Sequence, residues 1–392
     1  MNYTFGNRIH ILFFLFFLFT LLFPPLIINK ILFLLIMGYV AVNYKSYHFS
    51  TFSPFIVFLI FLFGFIHSFI NNVDKDLSFQ FFLSVLVLFL IYPILKYKID
   101  IDFIAKTSGL IIVFYTFFSF VLIVMSFEFP FTDIIRNIFR DYSLGGYSIR
   151  DFTEGGIINF NLGSTPFLYL PFSLYFISFV EKKNMRSFIV LILLLITILI
   201  SGSRGLMLSC ILAIVYIIFF KASLVTRIRL LIISIPIILM VVSFLITNTN
   251  VFSSKEVSNS VKIGHYASFF DNISFSNIIM GNGLASKYYS KGTNSVLAHT
   301  EITPLDMLRY LGFILAPILY IIIIFPTRKI KLYLGENKLY FGLFIIYLIN
   351  SFTNPIMFNS YGLLTVVWYW YKILNDTSNN ISEIAKPINS LD

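Results

Sequence analysis

Long apolar segments separated by short polar ones run along almost the whole chain. Stretches such as Ile11–Phe23, Phe55–Phe65 and Leu110–Met125 contain no charged residue. A run of about 20 apolar residues crosses a bilayer as a helix, because a helix satisfies its own backbone hydrogen bonds there. The pattern predicts about twelve such spans, near residues 8–23, 26–42, 54–70, 79–95, 104–126, 162–180, 187–203, 205–221, 228–247, 304–325, 339–352 and 358–374.

The predicted fold class is an all-α integral membrane protein, with one polytopic membrane domain over residues 1–392. Composition supports this class, since 58% of the residues are hydrophobic and 12% are charged. A soluble protein of this length could not bury so many large apolar side chains. Pro24 and Pro25 leave open whether the first two spans are separate or form one kinked hairpin. No small-residue cleavage site follows the first run, so we do not expect a secretory signal peptide.

Basic residues are concentrated in alternate connections between the predicted spans. The positive-inside rule places these connections in the cytoplasm, and an even number of spans then places both termini there. The net charge of +10 comes largely from these connections, so it does not indicate a nucleic-acid partner, and we expect none. The basic residues concerned are Lys96, Lys98, Lys182, Lys183, Arg186, Lys221, Arg227, Arg229, Arg328, Lys329 and Lys331.

The cysteine and histidine residues predict neither a disulfide framework nor a metal site. Cys210 is the single cysteine and lies inside a predicted span. The five histidines are scattered, with no cysteine or second histidine close by. We therefore expect no metal and no cofactor.

Two connections are too long to be simple turns, at residues 127–161 and 248–303. Charge places both on the extracytoplasmic side, and loops of this length usually have a function. In the first loop, residues 131–140 have helical periodicity with Arg136 and Arg140 on the polar face. This predicts a helix lying in the membrane interface, which is either a plain surface helix or one that presents these arginines to a polar substrate. Arg150 follows in a glycine-rich stretch suited to sugar contacts or to any exposed loop.

The second loop ends in a group of polar residues immediately before a span. His299 and Glu301 precede Pro304, which fits the first turn of the next helix. Asp306 and Arg309 are three apart, so they share a helix face and can pair. A histidine near neutrality can take a proton from a sugar hydroxyl, with a carboxylate to orient it. A loop histidine can equally be an ordinary polar residue.

An arginine lies between two apolar runs in the segment Ser201–Gly205. Arg204 lies where two predicted membrane spans meet. A charged side chain there costs free energy unless it is paired, hydrated or bound to an anion. The small residues around it leave backbone N–H groups accessible to a ligand. This combination predicts a cationic site for a phosphate-bearing substrate at one face of the membrane.

Taken together, these features resemble the bacterial O-antigen polymerases of the Wzy type, within the O-antigen ligase and polymerase superfamily. The resemblance covers nearly the full length and rests on short motifs. They are Ser201–Gly205 at the end of a span, the large late loop, Gly281-Asn282-Gly283, His299-x-Glu301 leading into Leu305-Asp306-x-Leu308-Arg309-x-x-Gly312, and Asn354-Pro355.

The resemblance implies a membrane glycosyltransferase at the outer face of the bacterial cytoplasmic membrane. Such enzymes move a growing glycan from undecaprenyl pyrophosphate onto a lipid-linked repeat unit, and they work with a flippase and a chain-length regulator of the same pathway. It also implies that Arg204 binds the pyrophosphate and that His299 is the base. Elementary chemistry agrees, since a departing pyrophosphate needs fixed positive charge and a hydroxyl needs a base.

Two features of the late loop depart from the related ligases. The ligases usually carry a second arginine at its start, whereas here Lys262 and His265 are the nearest cationic candidates, with Arg309 following in the next span. Thr300 also follows His299 where the ligases have Asn, Ser or Gln. These differences favour a polymerase over a ligase.

Two alternative functions remain open on the sequence. An O-antigen ligase would have the same spans and the same Arg204 and His299 pair, and acceptor dependence would separate it from a polymerase. A lipid-linked oligosaccharide flippase should carry ionisable residues along many spans, whereas here His67 is the main one.

Overall fold

A computed structural model describes most of the chain. The described residues are 2–23, 27–43, 51–128, 137, 146–150, 157–221, 257–272, 275–300, 302–335, 337–352, 354 and 357–384, with isolated positions between 223 and 243. The predicted span at 228–247 therefore lies largely outside the described residues.

Helices dominate the described part of the chain. They are α1 (Asn2–Leu22), α2 (Ile28–Val42), α3 (Ser53–Ile70), α4 (Lys75–Ser84), α5 (Ile91–Tyr97), α6 (Ile101–Glu128), α7 (Tyr169–Lys182), α8 (Met185–Ile200), α9 (Arg204–Lys221), α10 (Val257–Asp271), α11 (Phe275–Met280), α12 (Thr303–Ile324), α13 (Lys331–Leu334), α14 (Lys338–Ser351) and α15 (Ser360–Ile384). Short 3-10 segments at Val85–Leu90 and Thr165–Leu168 extend α4 into α5 and precede α7.

Five helical segments of the described chain are long and apolar enough to cross a membrane: Ser53–Ile70, Lys75–Tyr97, Ile101–Met125, Arg204–Lys221 and Thr303–Ile324. Four further apolar helices are shorter, at Ile9–Leu22, Ile28–Val42, Met185–Ile200 and Lys338–Ser351. The structure is thus that of a helical, multi-pass membrane protein. The number of twelve spans stays a prediction.

Two small hairpins lie within the long loops and add strand structure that the all-α prediction did not include. Strands β1 (Gly146–Arg150) and β2 (Ile157–Asn161) are antiparallel, with Tyr147 opposite Phe160. Strands β3 (Tyr288–Ser290) and β4 (Ser295–Leu297) form the second hairpin. The glycine-rich stretch around Gly146 is therefore a strand, because its neighbours pair with the segment before α7.

Contacts between distant segments define two ends of the helix bundle. At the polar end, Asn71 donates to the carbonyl of Asn282 at 3.1 Å, and Thr303 donates to the carbonyl of Asn354 at 3.0 Å. The basic end is the opposite one, where Lys221 pairs with Glu181 at 2.7 Å. The described part of the late loop, from Asn282 to Thr303, lies at the polar end, and Lys221 lies at the other end of its helix. The location of the two long loops as a whole, and the side of the membrane that each end faces, stay predictions.

Helix α12 is broken at Gly312, whose φ of 76° interrupts the helical backbone. The segment Gly281–Gly283 fills the break, because Asn282 N–H donates to the carbonyl of Arg309 at 2.8 Å and Gly283 N–H to that of Tyr310 at 3.1 Å. The next N–H, of Leu284, donates to the carbonyl of Gly64 in α3 at 3.2 Å. Backbone groups freed by a break within a membrane must find such partners. The sequence motif Gly281-Asn282-Gly283 therefore joins α12 to α3.

Replacing Gly281 by alanine is expected to destabilise the fold. The φ of Gly281 is +73°, and a Cβ there would lie 2.4 Å from the carbonyl oxygen of Tyr310. Backbone strain alone costs about 1–3 kcal/mol, so the unfolding temperature of the purified protein in detergent should fall. Gly163→Ala is the matched control, because a Cβ at Gly163 would meet no atom within 4 Å. Equal unfolding temperatures for the two variants would contradict this account of the motif.

Candidate functional site

Arg204 is the first residue of α9, at the polar end of the bundle. The turn before it is tight, since Gly202 has a φ of 64° and the Ser201 hydroxyl accepts from Ser203 N–H at 3.3 Å. The Arg204 guanidinium, partly buried, donates to the side-chain oxygen of Asn259 in α10 at 3.1 Å. The helix amino terminus adds partial positive charge to that of the arginine. This end of α9 is therefore a cationic position attached to α10.

Lys262 extends this cationic position along α10. It is partly buried and lies three residues after Asn259, the residue that contacts Arg204. Residues three apart occupy one helix face. Helical spacing thus places Lys262 on the face of α10 that carries Asn259, the contact of Arg204.

His265 joins α10 to the hairpin β3–β4 and is fully buried. Its Nδ1 lies 2.9 Å from the Tyr288 hydroxyl and 2.8 Å from the Ser290 hydroxyl. Gly264 allows this close packing, since a Cβ there would lie 2.3 Å from Cα of Gly292 in the hairpin. The exposed fraction of His265 is 1%, so the substrate contact suggested by the sequence would need the hairpin to move.

Arg309 connects α12 to both ends of the same hairpin. Its guanidinium donates to the carbonyl of Ser286 before β3 and to that of Ala298 after β4, the latter at 2.5 Å. It also pairs with Asp306 at 3.0 Å, which confirms the predicted pair. Its charge lies 4.5 Å from the ring centre of Tyr288 and 4.7 Å from that of Tyr310. These contacts occupy the guanidinium within the protein, and they support an architectural role more than direct substrate binding.

Asp306 fixes the turn that follows His299. Both of its carboxylate oxygens accept from the backbone N–H of Thr300, at 3.0 and 2.9 Å. The Thr300 hydroxyl in turn donates to the carbonyl of Ile302 at 2.9 Å. Because Asp306 is itself held by Arg309, the chain carrying His299 is attached rigidly to the start of α12.

His299 lies in the loop between β4 and α12, with its side chain exposed. Its Nδ1 is 3.1 Å from the Tyr310 hydroxyl, and its ring centre is 5.0 Å from that of Phe81 in α4. Burial of part of the ring, together with the nearby charge of Arg309, lowers the pKa of His299 below its usual value. The imidazole is thus kept neutral and accessible, as a general base requires.

Several predicted site residues cannot be placed. Arg136, Arg140 and Glu301 lie outside the described residues, and for Arg150 the structure gives the backbone, in β1, without the side chain. Their predicted roles stay predictions. Among the residues that are described, no group of three His, Cys, Asp or Glu side chains could hold a metal ion.

Sequence reasoning missed the residues that connect the predicted ones. Tyr310 and Phe81 contact His299, Tyr288 contacts both His265 and Arg309, and Asn259 contacts Arg204. Aromatic residues are 19% of the chain, so an individual tyrosine or phenylalanine gave no signal. Tyr310 alone had a hint, its position next to Arg309 in the motif that follows His299.

Comparison with known proteins gives one informative similarity. The chain is 25% identical, over 368 residues, to an O-antigen polymerase of Shigella flexneri. The alignment covers 84% of this chain and 91% of that protein. No protein-family model and no solved structure matches the chain. The similarity supports a polysaccharide polymerase role for a multi-pass membrane protein of this kind.

Proposed function

We propose that this protein is an O-antigen polymerase of the Wzy type. It transfers a growing glycan from undecaprenyl pyrophosphate onto a lipid-linked repeat unit, at the outer face of the bacterial cytoplasmic membrane. The observation that carries the proposal is the similarity to the Shigella flexneri polymerase, because it extends along 84% of this chain and 91% of the relative. A shared domain alone would give a shorter alignment.

The geometry of the polar end supports the same chemistry. Neutral, exposed His299 takes the proton of the acceptor hydroxyl. At the same time the hydroxyl oxygen forms the new glycosidic bond with the donor sugar. The bond between the donor sugar and the pyrophosphate breaks, and its electron pair leaves with the phosphate oxygen. Arg204 and Lys262, on one side of α10, stabilise that growing negative charge. The reaction needs no cofactor, because the energy lies in the donor's pyrophosphate linkage.

The sidedness of the membrane follows from the charges at the two ends. The basic end faces the cytoplasm, together with both termini, and the polar end faces outward. The lipid-linked substrates must therefore be delivered by a flippase, and a chain-length regulator of the same pathway is the expected protein partner.

The product of a deletion strain tests the proposed function. A strain lacking this protein should make lipopolysaccharide with a single repeat unit, and the wild-type gene should restore the ladder on a gel. Free lipid-linked polymer in the deletion strain would instead indicate a ligase. Accumulation of single units on the cytoplasmic side would indicate a flippase.

Thiol labelling in intact cells tests the orientation. Thr293 is exposed in the β3–β4 turn and Lys329 is exposed at the basic end. We expect Thr293→Cys to react with an impermeant maleimide once the outer membrane is permeabilised, and Lys329→Cys to react only after lysis of the cytoplasmic membrane. The native Cys210 is buried and should give little background. The opposite labelling pattern would reverse the proposed topology.

A further inference from the structure

The hydroxyl of Tyr310 lies between two possible partners, the carbonyl of Ala298 and the imidazole of His299. Its oxygen makes a close hydrogen bond with the carbonyl oxygen of Ala298. A hydrogen bond needs one hydrogen between its two oxygen atoms. The carbonyl has no hydrogen, so the phenol must donate its own to Ala298.

Because the phenol hydrogen of Tyr310 is donated to Ala298, Tyr310 can only accept a hydrogen bond from His299. The phenol oxygen, 3.1 Å from Nδ1, has only a lone pair left on that side. An unprotonated Nδ1 would direct a second lone pair at it, which is repulsive. Nδ1 therefore carries a hydrogen and donates it to Tyr310. A neutral imidazole has one N–H, so the lone pair lies on Nε2.

Neighbouring side chains hold this arrangement in place. Arg309 stacks on the Tyr310 ring at 4.7 Å and donates to the same Ala298 carbonyl at 2.5 Å. Phe81 contacts both rings, with centres 5.0 Å from His299 and 5.7 Å from Tyr310. Tyr310 itself is fully buried. Its hydroxyl thus has little freedom to turn away and exchange donor and acceptor roles.

We propose that Tyr310 is a positioning residue that fixes His299 as the Nδ1–H tautomer and leaves Nε2 as the proton-accepting nitrogen. That Nε2 receives the proton of the acceptor sugar rests on the proposed polymerase function. The tautomer itself does not, since it follows from hydrogen bonding within the protein. The lowered pKa of His299 is consistent with this arrangement, because it keeps the ring neutral.

Nitrogen NMR of the wild-type protein tests the tautomer directly. The full chain is labelled with 15N-histidine, and the His299 signals are those absent from a His299→Gln sample. Above the pKa of His299, we expect Nδ1 to show the shift of a protonated nitrogen and Nε2 that of an unprotonated one. The reverse assignment would overturn the proposal.

The variant Tyr310→Phe tests the role of the hydroxyl. We expect a mixture of tautomers in its spectrum and a kcat lowered by roughly tenfold with KM unchanged. Tyr369→Phe is the matched control, because it removes a buried hydroxyl that donates to a carbonyl, that of Ile324, at the basic end. It should keep the wild-type tautomer and rate. A folded Tyr310→Phe protein with the wild-type tautomer and rate would refute the role of the hydroxyl.

Failure of this proposal is distinguishable from failure of the proposed function. If Tyr310→Phe does not fold, the nitrogen spectrum of the wild-type protein still decides whether Nδ1 of His299 carries the hydrogen, as the proposal requires. If the spectrum shows Nδ1–H while His299→Gln polymerises normally, positioning by Tyr310 stands and His299 loses its role as base.

Discussion

Arg204→Ala is expected to abolish polymer formation while the protein still reaches the membrane. Arg204 begins α9 at the polar end, so its charge and the partial positive charge of the helix amino terminus are available to one anion. Loss of one charge-assisted contact to a developing oxyanion costs on the order of 3 kcal/mol, or roughly a hundredfold in rate. Arg204→Lys should restore little, because lysine lacks the planar fork that binds phosphate oxygens. The measurement is the polymer ladder of a complemented deletion strain, normalised to protein amount.

The hydrogen bond between Arg204 and Asn259 provides the control for this prediction. If the role of Arg204 is to hold α10 through its 3.1 Å hydrogen bond with Asn259, then Asn259→Ala removes the same contact and should be equally damaging. If Arg204 binds pyrophosphate, Asn259→Ala should be mild, since the guanidinium remains. Equal losses from both truncations would dismiss the pyrophosphate role, as would normal polymer from a well-expressed Arg204→Ala protein.

The helical part of the fold could be predicted from the sequence because its signals are local. Long charge-free runs, such as Leu110–Met125, fall within observed helices, here α6. The pair of Asp306 and Arg309 was equally accessible, since helical spacing alone brings residues three apart together. The orientation that the basic connections indicate stays a prediction, because it depends on a membrane and on loops that extend beyond the described residues.

The connections within the site could not be predicted, because each joins segments far apart in the chain. Arg204 meets Asn259 across 55 positions, and Asn71 meets Asn282 across 211. Gly281-Asn282-Gly283 was recognised as a motif, but its function depends on the break in α12. A single glycine such as Gly312 within an apolar run does not predict a helix break. The sequence predicted His265 as a cationic loop residue available to substrate, whereas its imidazole is packed against the hairpin.

The break in α12 also explains how the site is supported. The first part of this helix, before Gly312, carries Asp306, Arg309 and Tyr310, and each of them contacts the chain around His299. Gly281–Gly283 attaches that part to α3 through backbone hydrogen bonds. The position of His299 is therefore set by the end of one broken helix rather than by its loop.

His299→Gln and His299→Ala are expected to stop chain growth while the protein still folds and retains its lipid-linked donor. An amide can hydrogen-bond, but it cannot accept a proton at useful pH, so glutamine should fail as alanine does. Loss of a general base costs about a hundredfold to ten-thousandfold in rate. A purified His299→Gln protein that polymerises at the wild-type rate would exclude His299 as the base.

Glu301→Gln separates the two candidate bases. If Glu301 only orients or balances the imidazole, this variant should be milder than His299→Gln. If Glu301 is itself the base, the loss should be equally severe. Retention of lipid-linked donor by both variants is the control, because it separates loss of chemistry from loss of binding.

The dependence of rate on pH gives an independent check on His299. Its usual pKa is about 6.5, and partial burial together with the charge of Arg309 lowers it. A base acts in its unprotonated form, so the rate should fall as the pH drops, with its midpoint below pH 6.5. Among the described residues, two neighbouring ionisable groups are buried: Asp306 is paired with Arg309, and Tyr310 donates to Ala298. An acid limb centred above pH 6.5, or one that persists unchanged in His299→Gln, would assign the titration to a different group.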